Sequence, residues 1–257
     1  MHLTSVLKPL FDQLWWLLPL LIAVGIAKTP WFKGFFGELL VRLSARFLLD
    51  PNEYRATHNV TLKTPDGTTQ IDHVFVSRFG VFVVETKNYS GWIFGDENQA
   101  MWTQKLFKTT NKFQNPLRQN FKHIKALESL TSLPLETFHS VIVFVGGSEF
   151  KTKMPQNVAY AGGYISYIKS KTSPMLSASE VEAVYSAIST GRLAPSLATN
   201  REHVENVRHR LDPDAPRSCP KCGAEMVQRT VKSGDKAGSK FWGCSAFPKC
   251  RTIQNVT

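Results

Sequence analysis

Residues 70–92, QIDHVFVSRFGVFVVETKNYSGW, constrain the fold more than any other stretch. They read as two strands joined by a tight SRFG connection. With that loop, Val76 lies opposite Val81, and counting back in antiparallel register sets Asp72 opposite Glu85. Cross-strand neighbours hold their Cβ atoms about 4.5–5.5 Å apart. Lys87, two residues beyond Glu85, shares its face. Two adjacent carboxylates repel at neutral pH unless a cation lies between them. All-oxygen donors of this kind suit a hard divalent ion such as Mg²⁺. Lys87 would then orient a water or neutralise charge developing on phosphorus. The competing reading is a solvent-facing ladder with a Glu–Lys neighbour pair. The apolar run Val81–Val84 argues for a buried strand and so against that ladder. His73 points to the other face by period-two alternation and reads as a core or structural histidine.

The elements around this pair follow from their own signals. GELLVRLSARFLL, residues 37–49, has helical apolar spacing at Leu39, Leu40, Leu43 and Phe47, with Glu38 at its start, where an acid favours the helix dipole. NPLRQNFKHIKALESL opens with Asn-Pro, a helix start, and predicts a buried stripe of Leu117, Phe121, Ile124, Leu127 and Leu130. HSVIVFVGG, residues 139–147, reads as a buried central strand. Ser177 and Glu180 stand at capping-box spacing before another helix. The order helix, strands, helix, strand, helix predicts an α/β domain with a mixed sheet flanked by helices.

Near the N-terminus, LWWLLPLLIAVGIA is uncharged, and Lys28, Lys33, Arg42 and Arg46 follow it. Length and charge bias predict a single-pass anchor in the cytoplasmic (inner) membrane with the catalytic body facing the cytoplasm. A cleaved signal peptide and an interfacial or core helix are the alternatives. The chain is also strongly basic, with 31 Lys and Arg against 20 Asp and Glu, a net +11. That balance suits a polyanion or an anionic membrane surface and does not choose between them.

All four cysteines fall late, as Cys219, Cys222, Cys244 and Cys250. This predicts one local tetrahedral Zn²⁺ site rather than disulfides spread across the fold. Lys221, Arg229, Lys232, Lys236, Lys240, Lys249 and Arg251 interleave with Phe241, Trp242 and Phe247, a pattern that fits single-stranded DNA. Trp242 and Phe247 fit equally as the ribbon's own core.

GELL, TQIDHVFVSRFGVFVVETKNYSGWIFG, the following Trp102 and NPLRQNFKHIKAL resemble the nuclease-related domain (NERD) family, which is similar to the PD-(D/E)xK nucleases of restriction-endonuclease-like fold. The resemblance covers roughly residues 34–150. It implies Glu38 as the helix carboxylate of the site, Asp72 as main metal ligand, Glu85 as second ligand, Lys87 as catalytic lysine and Gln119 as a helical glutamine near DNA. CPKCG and FWGCSAFPKC resemble the C-terminal zinc finger of type I topoisomerases. The expected organisation is an anchor over 1–29, a nuclease-like domain over 34–190, a linker over 191–216 carrying at most a short helix, and a zinc ribbon over 217–257. The expected function is Mg²⁺- or Mn²⁺-dependent cleavage of DNA at the membrane, with other DNA-processing proteins as partners. The rival is a catalytically inactive nucleic-acid-binding or accessory protein.

Overall fold

The computed structural model describes residues 15–65, 67–212, 215–219, 221–234 and 237–255. Contacts divide it into two units, Met1–Thr64 with Thr69–Ala194, and Pro65–Thr68 with Pro195–Thr257.

In the first unit, strands β1 (Arg55–Thr64), β2 (Gly67–Ser77), β3 (Gly80–Asn88), β7 (Phe138–Val145) and β9 (Val158–Tyr160) form one sheet in the order β1-β2-β3-β7-β9. β2 and β3 are antiparallel, while β7 runs parallel to both β3 and β9, so the sheet is mixed. Alternation sorts the central side chains. Val74, Val76, Val81 and Val83 pack under helices α3 (Pro116–Thr131) and α5 (Ala178–Gly191) through Ile124, Leu127, Val184 and Ile188. Phe75, Phe82, Val84 and Val143 pack under α2 (Pro30–Leu48) and α4 (Tyr164–Lys169) through Val41, Ala45, Ile165 and Ile168. A strand covered on both faces has no polar side to show, which is why β3 opens as an unbroken apolar run.

The caps sit where the sequence puts them. Asn115 accepts the Leu117 N–H ahead of Pro116, and Ser177 with Glu180 closes a capping box. On two helices the buried face is not the one that the apolar spacing marks. On α2 the small residues Gly37, Val41 and Ala45 face the sheet, whereas Leu40, Leu43 and Phe47 are exposed. A Cβ on Gly37 would come within 2.7 Å of Val145 Cγ2, so at this position the helix lies too close for any larger side chain. The helix also begins at Pro30, capped by Thr29, so Glu38 lies in its interior and not at a dipole end. On α3, Phe121 is half exposed, and the buried positions include Asn120 and His123. Asn120 donates to the Val83 carbonyl at 2.8 Å and to Ser140 Oγ at 2.9 Å, pinning the helix to the sheet.

A second sheet lacks an obvious sequence signal. Strands β4 (Gly91–Phe94), β5 (Met101–Leu106), β6 (Thr109–Gln114) and β8 (Ser148–Phe150) form it in the order β6-β5-β4-β8. Its buried centre is Trp102, stacked on Phe144 with the indole N–H donated to the Asp96 carbonyl.

The membrane anchor is not supported. Helix α1 is Leu17–Ala27, 11 residues, which at 1.5 Å per residue reaches about 16 Å against a hydrocarbon core of about 30 Å. Among the described residues, no helix is long and apolar enough to cross a membrane. Residues 1–14 of the expected anchor, including Lys8, Asp12 and Gln13, lie outside the described residues.

In the second unit, Leu197–Leu211, inside the stretch expected to be linker, form the 15-residue helix α6. Strands β10 (Arg217–Ser218), β11 (Glu225–Thr230), β12 (Lys240–Cys244) and β13 (Ile253–Asn255) then make an antiparallel ribbon. Trp242 is buried in it with Met226 and three of the cysteines, whereas Phe247 is exposed. Lys236 lies outside the described residues.

Candidate active site and cysteine cluster

The β2–β3 ladder runs from Ser77–Gly80 to His73–Val84, the register counted from the SRFG loop. One step further the pair would be Asp72–Glu85, and the ladder stops there. The Thr86 N–H donates to Asp72 Oδ2 at 2.7 Å, so a side-chain carboxylate replaces the strand's next backbone acceptor. The acids thus stand where the two strands cease to pair.

Glu85 is buried and held by three groups. Lys87 Nζ donates to its Oε1 at 2.6 Å, Gln119 Nε2 donates to the same oxygen at 2.7 Å, and His123 Nε2 lies 3.1 Å from Oε2. Lys87 also donates to Gln119 Oε1 at 2.9 Å, which closes a ring of three side chains. His123 Nδ1 lies 2.7 Å from Thr69 Oγ1. An ionised carboxylate only accepts, so Nε2 is the protonated nitrogen toward Glu85. Gln119 and His123 are four residues apart on α3 and so share its face. That spacing was the available signal for His123, which the sequence reading did not single out.

The charges are unequal. Burial alone would raise Glu85, but the Lys87 charge and the His123 hydrogen bond outweigh it and bring its pKa down to about 2. Asp72 is pushed well above the usual carboxylate range by burial, then by the charges of Glu85 and Glu38; the Thr86 N–H and Lys87 only partly offset this. Glu38 is raised by burial and by Glu85. Burial works to lower Lys87, yet Glu85 and Asp72 raise it on balance. The structure therefore brings Glu85, Lys87 and Gln119 into direct contact and sets Asp72 and Glu38 within electrostatic reach. Two acids that resist ionisation beside a third that is fully charged form a donor set that a divalent cation would relieve. Hard oxygen donors fit Mg²⁺ or Mn²⁺.

His73 does face away. It is buried, stacks on Phe75, and its Nδ1 lies 2.9 Å from His58 Nδ1.

Next to the site in sequence, the β5–β6 hairpin is basic. Residues 101–114 hold Lys105, Lys108 and Lys112 and no acid. Phe107 at its tip is 94% exposed with φ of 50°. Lys105 and Lys151 lie over the half-exposed Trp92 ring, at 6.0 and 4.8 Å from its centroid. This surface was missed because its strands are short and polar.

The cysteines form a tighter group. Their four Sγ atoms lie within 4.8 Å of one another, and they are the only such set of three or more metal-binding donors among the described residues. Cys219–Cys250 and Cys222–Cys244 are 3.7 and 3.5 Å apart, too far for disulfides. Zinc–sulfur bonds of about 2.3 Å imply a tetrahedral edge of about 3.8 Å, so the spacing fits Zn²⁺. The Gly223 N–H returns to the Cys219 carbonyl at 2.8 Å, and Gly223 has φ of +73°, which makes the turn between the first two ligands. Burial would raise the Cys219 thiol, but the Lys221 and Cys222 N–H groups outweigh it and hold its pKa down at about 6.

A family model of the nuclease-related domain matches residues 33–145. An uncharacterized protein of Bacillus anthracis is 43% identical over 167 residues, 62% of this chain and 77% of that protein. The chain belongs to the nuclease-related domain family. The topoisomerase DNA-binding C4 zinc finger matches residues 216–257, which contain all four cysteines. No solved structure matches the chain. The two family matches together describe a nuclease-like, DNA-binding NERD protein with a zinc ribbon. The NERD match contains Glu38, Asp72, Glu85, Lys87, Gln119 and His123.

Proposed function

We propose that this NERD protein is a Mg²⁺- or Mn²⁺-dependent deoxyribonuclease of restriction-endonuclease-like type, with a nuclease-like domain over 34–190 and a DNA-gripping ribbon over 217–257. The observation that carries the reading is the cluster at the end of the β2–β3 ladder. Asp72 and Glu85 emerge from an apolar strand pair, and Lys87 is bonded to Glu85 beside them. A surface ladder has no need of a buried glutamate.

A divalent cation held by Asp72 and Glu85 would polarise a phosphoryl oxygen and acidify a bound water. Lys87 places a fixed positive charge where the phosphorus gains negative charge. Gln119 and His123 keep the Glu85 carboxylate from rotating, and Gln119 also fixes the Lys87 ammonium. Glu38 adds negative charge within electrostatic reach of Asp72 and Glu85. Lys105, Lys108 and Lys112 offer contacts to phosphates, and Phe107 offers a face for base stacking. In the ribbon, exposed Phe247, with Arg229 over its ring, offers a face for stacking, while Trp242 belongs to the core.

The rival is a nucleic-acid-binding or accessory protein that has kept the fold without the chemistry. The Glu85–Lys87–Gln119 ring favours the enzyme, because binding phosphate needs exposed cations and not a buried ion pair. Incubation with Mg²⁺ or Mn²⁺ and linear, circular, single- and double-stranded DNA tests this. Product that appears only with the metal is expected; none on any substrate would favour the rival. Lys87→Ala should lower the cleavage rate about 10²–10³-fold while Mn²⁺ affinity by calorimetry stays within a few-fold. A collapse of metal affinity would make Lys87 a structural residue.

A further inference from the structure

We propose that the cleft between α2 and β1 binds the phosphate of a nucleotide through Arg42, Arg46 and the imidazole of His58. Its volume is about 480 Å³, and its lining has two arginines, one histidine and no acid. Tyr54 and Phe75, both buried, contribute aromatic surface. An apolar floor with a few convergent polar groups at this size is what a small-ligand site requires.

Three observations point to a phosphate. First, Arg42 and Arg46 are exposed, and neither is within ion-pair distance of a described acid. They stand four and eight residues beyond Glu38 on one helix, so each step advances about 6 Å along the same face. The stripe runs from the carboxylate cluster into the cleft. Second, guanidinium forks match phosphate oxygens in pairs.

Third, the histidine pair fixes a donor. Burial, with help from Arg42, brings His58 down to about 4, so its ring is neutral near pH 7. The two Nδ1 atoms lie 2.9 Å apart, so one proton lies between them. His73 Nε2 is buried with no hydrogen-bond partner among the described residues. A bare acceptor is less costly to bury than an unpaired N–H. His73 thus carries its proton on Nδ1 and donates it to His58. That leaves the proton of His58 on Nε2, on a ring that lines the cleft. Two guanidinium groups and the neutral ring of His58 line the same cleft.

The choice of a nucleotide over other phosphates rests on the proposed DNA cleavage. Either a terminal nucleotide of DNA or a free nucleotide supplies the same chemistry. The test uses full-length Asp72→Asn protein, so that binding is read without cleavage. dAMP is titrated by calorimetry into this protein and into the same protein with Arg42→Ala and Arg46→Ala. Oligonucleotides with a 5′-phosphate and a 5′-hydroxyl are compared in parallel. We expect dAMP to bind and to weaken at least tenfold without the arginines. A 5′-phosphate preference that disappears with them identifies a DNA end; dAMP binding with no such preference identifies a free nucleotide. Absence of both, or values unchanged by removing the arginines, overturns the proposal. If the alanine protein fails to fold by circular dichroism, the Arg42→Lys, Arg46→Lys protein replaces it, with a smaller but measurable weakening expected. A failed titration leaves the nuclease reading intact, and a failed cleavage assay leaves the titration interpretable.

Discussion

Asp72→Asn is expected to abolish metal-dependent cleavage, by about 10³-fold or more, and at the same time to stabilise the metal-free protein. The loss follows from removing the carboxylate that stands where β2 and β3 stop pairing. DNA affinity should change little, because phosphate contacts to Lys and Arg carry most of it. The gain follows from linkage. The Asp72 pKa is raised in the folded chain by burial and by Glu85 and Glu38. A raised folded-state pKa contributes stability that is fully present below the unfolded value and is lost as pH rises through the folded value. Asparagine has no charge to lose. The variant should therefore melt close to the wild type near pH 4 and above it at pH 7–8. Added Mg²⁺ should raise the wild-type melting temperature and leave the variant's unchanged. Wild-type cleavage by Asp72→Asn protein, free of contaminating nuclease, would remove Asp72 from the mechanism.

Chelation should unfold the ribbon and little else. Its buried centre is Met226, Trp242 and the cysteines themselves, too small a core to fold without a metal. Zinc bound to peptides of this kind is worth about 10–16 kcal/mol of apparent folding free energy. Cys222 is the exposed member of the four and gives a chelator its entry. One Zn²⁺ per chain is expected. After its removal, amides in residues 217–255 should exchange freely while those of β2, β3 and β7 stay protected. Affinity for single-stranded DNA and its salt dependence should both fall, since Arg229, Lys240, Lys249 and Arg251 lose their common platform. Cleavage at saturating DNA should persist. Undiminished protection of the ribbon after chelation would refute a structural zinc.

The sequence was legible where one local rule decides the outcome. The SRFG loop fixes the register, Asn115-Pro116 starts α3, and Ser177 with Glu180 starts α5. It misled where tertiary approach overrides apolarity. Leu40 and Leu43 lie off the face of Gly37, Val41 and Ala45 that meets the sheet, and at Gly37 the helix α2 lies too near Val145 for a larger side chain. Phe121 yields to Asn120, whose buried side chain bonds the Val83 carbonyl while Phe121 stays half exposed. The anchor reading counted apolar residues without knowing where the helix stops, and α1 stops after 11. Within the site, the acids and the lysine were visible as residue types out of place in a strand. His123 was not, because a histidine in a helix carries no such signal until Glu85 is seen beside it.

The ring around Glu85 has a consequence for genetics. The two acids are not equivalent targets for a loss-of-function allele. Removing Asp72 relieves repulsion, so a null phenotype from it reports on chemistry. Removing Glu85 leaves the Lys87 ammonium, only 16% exposed, without its carboxylate; breaking a buried pair in this way costs about 3–5 kcal/mol. A Glu85→Ala allele would lower protein abundance as well as rate, and its phenotype would merge the two. A complementation study that wants an inert but intact protein should carry the change at Asp72.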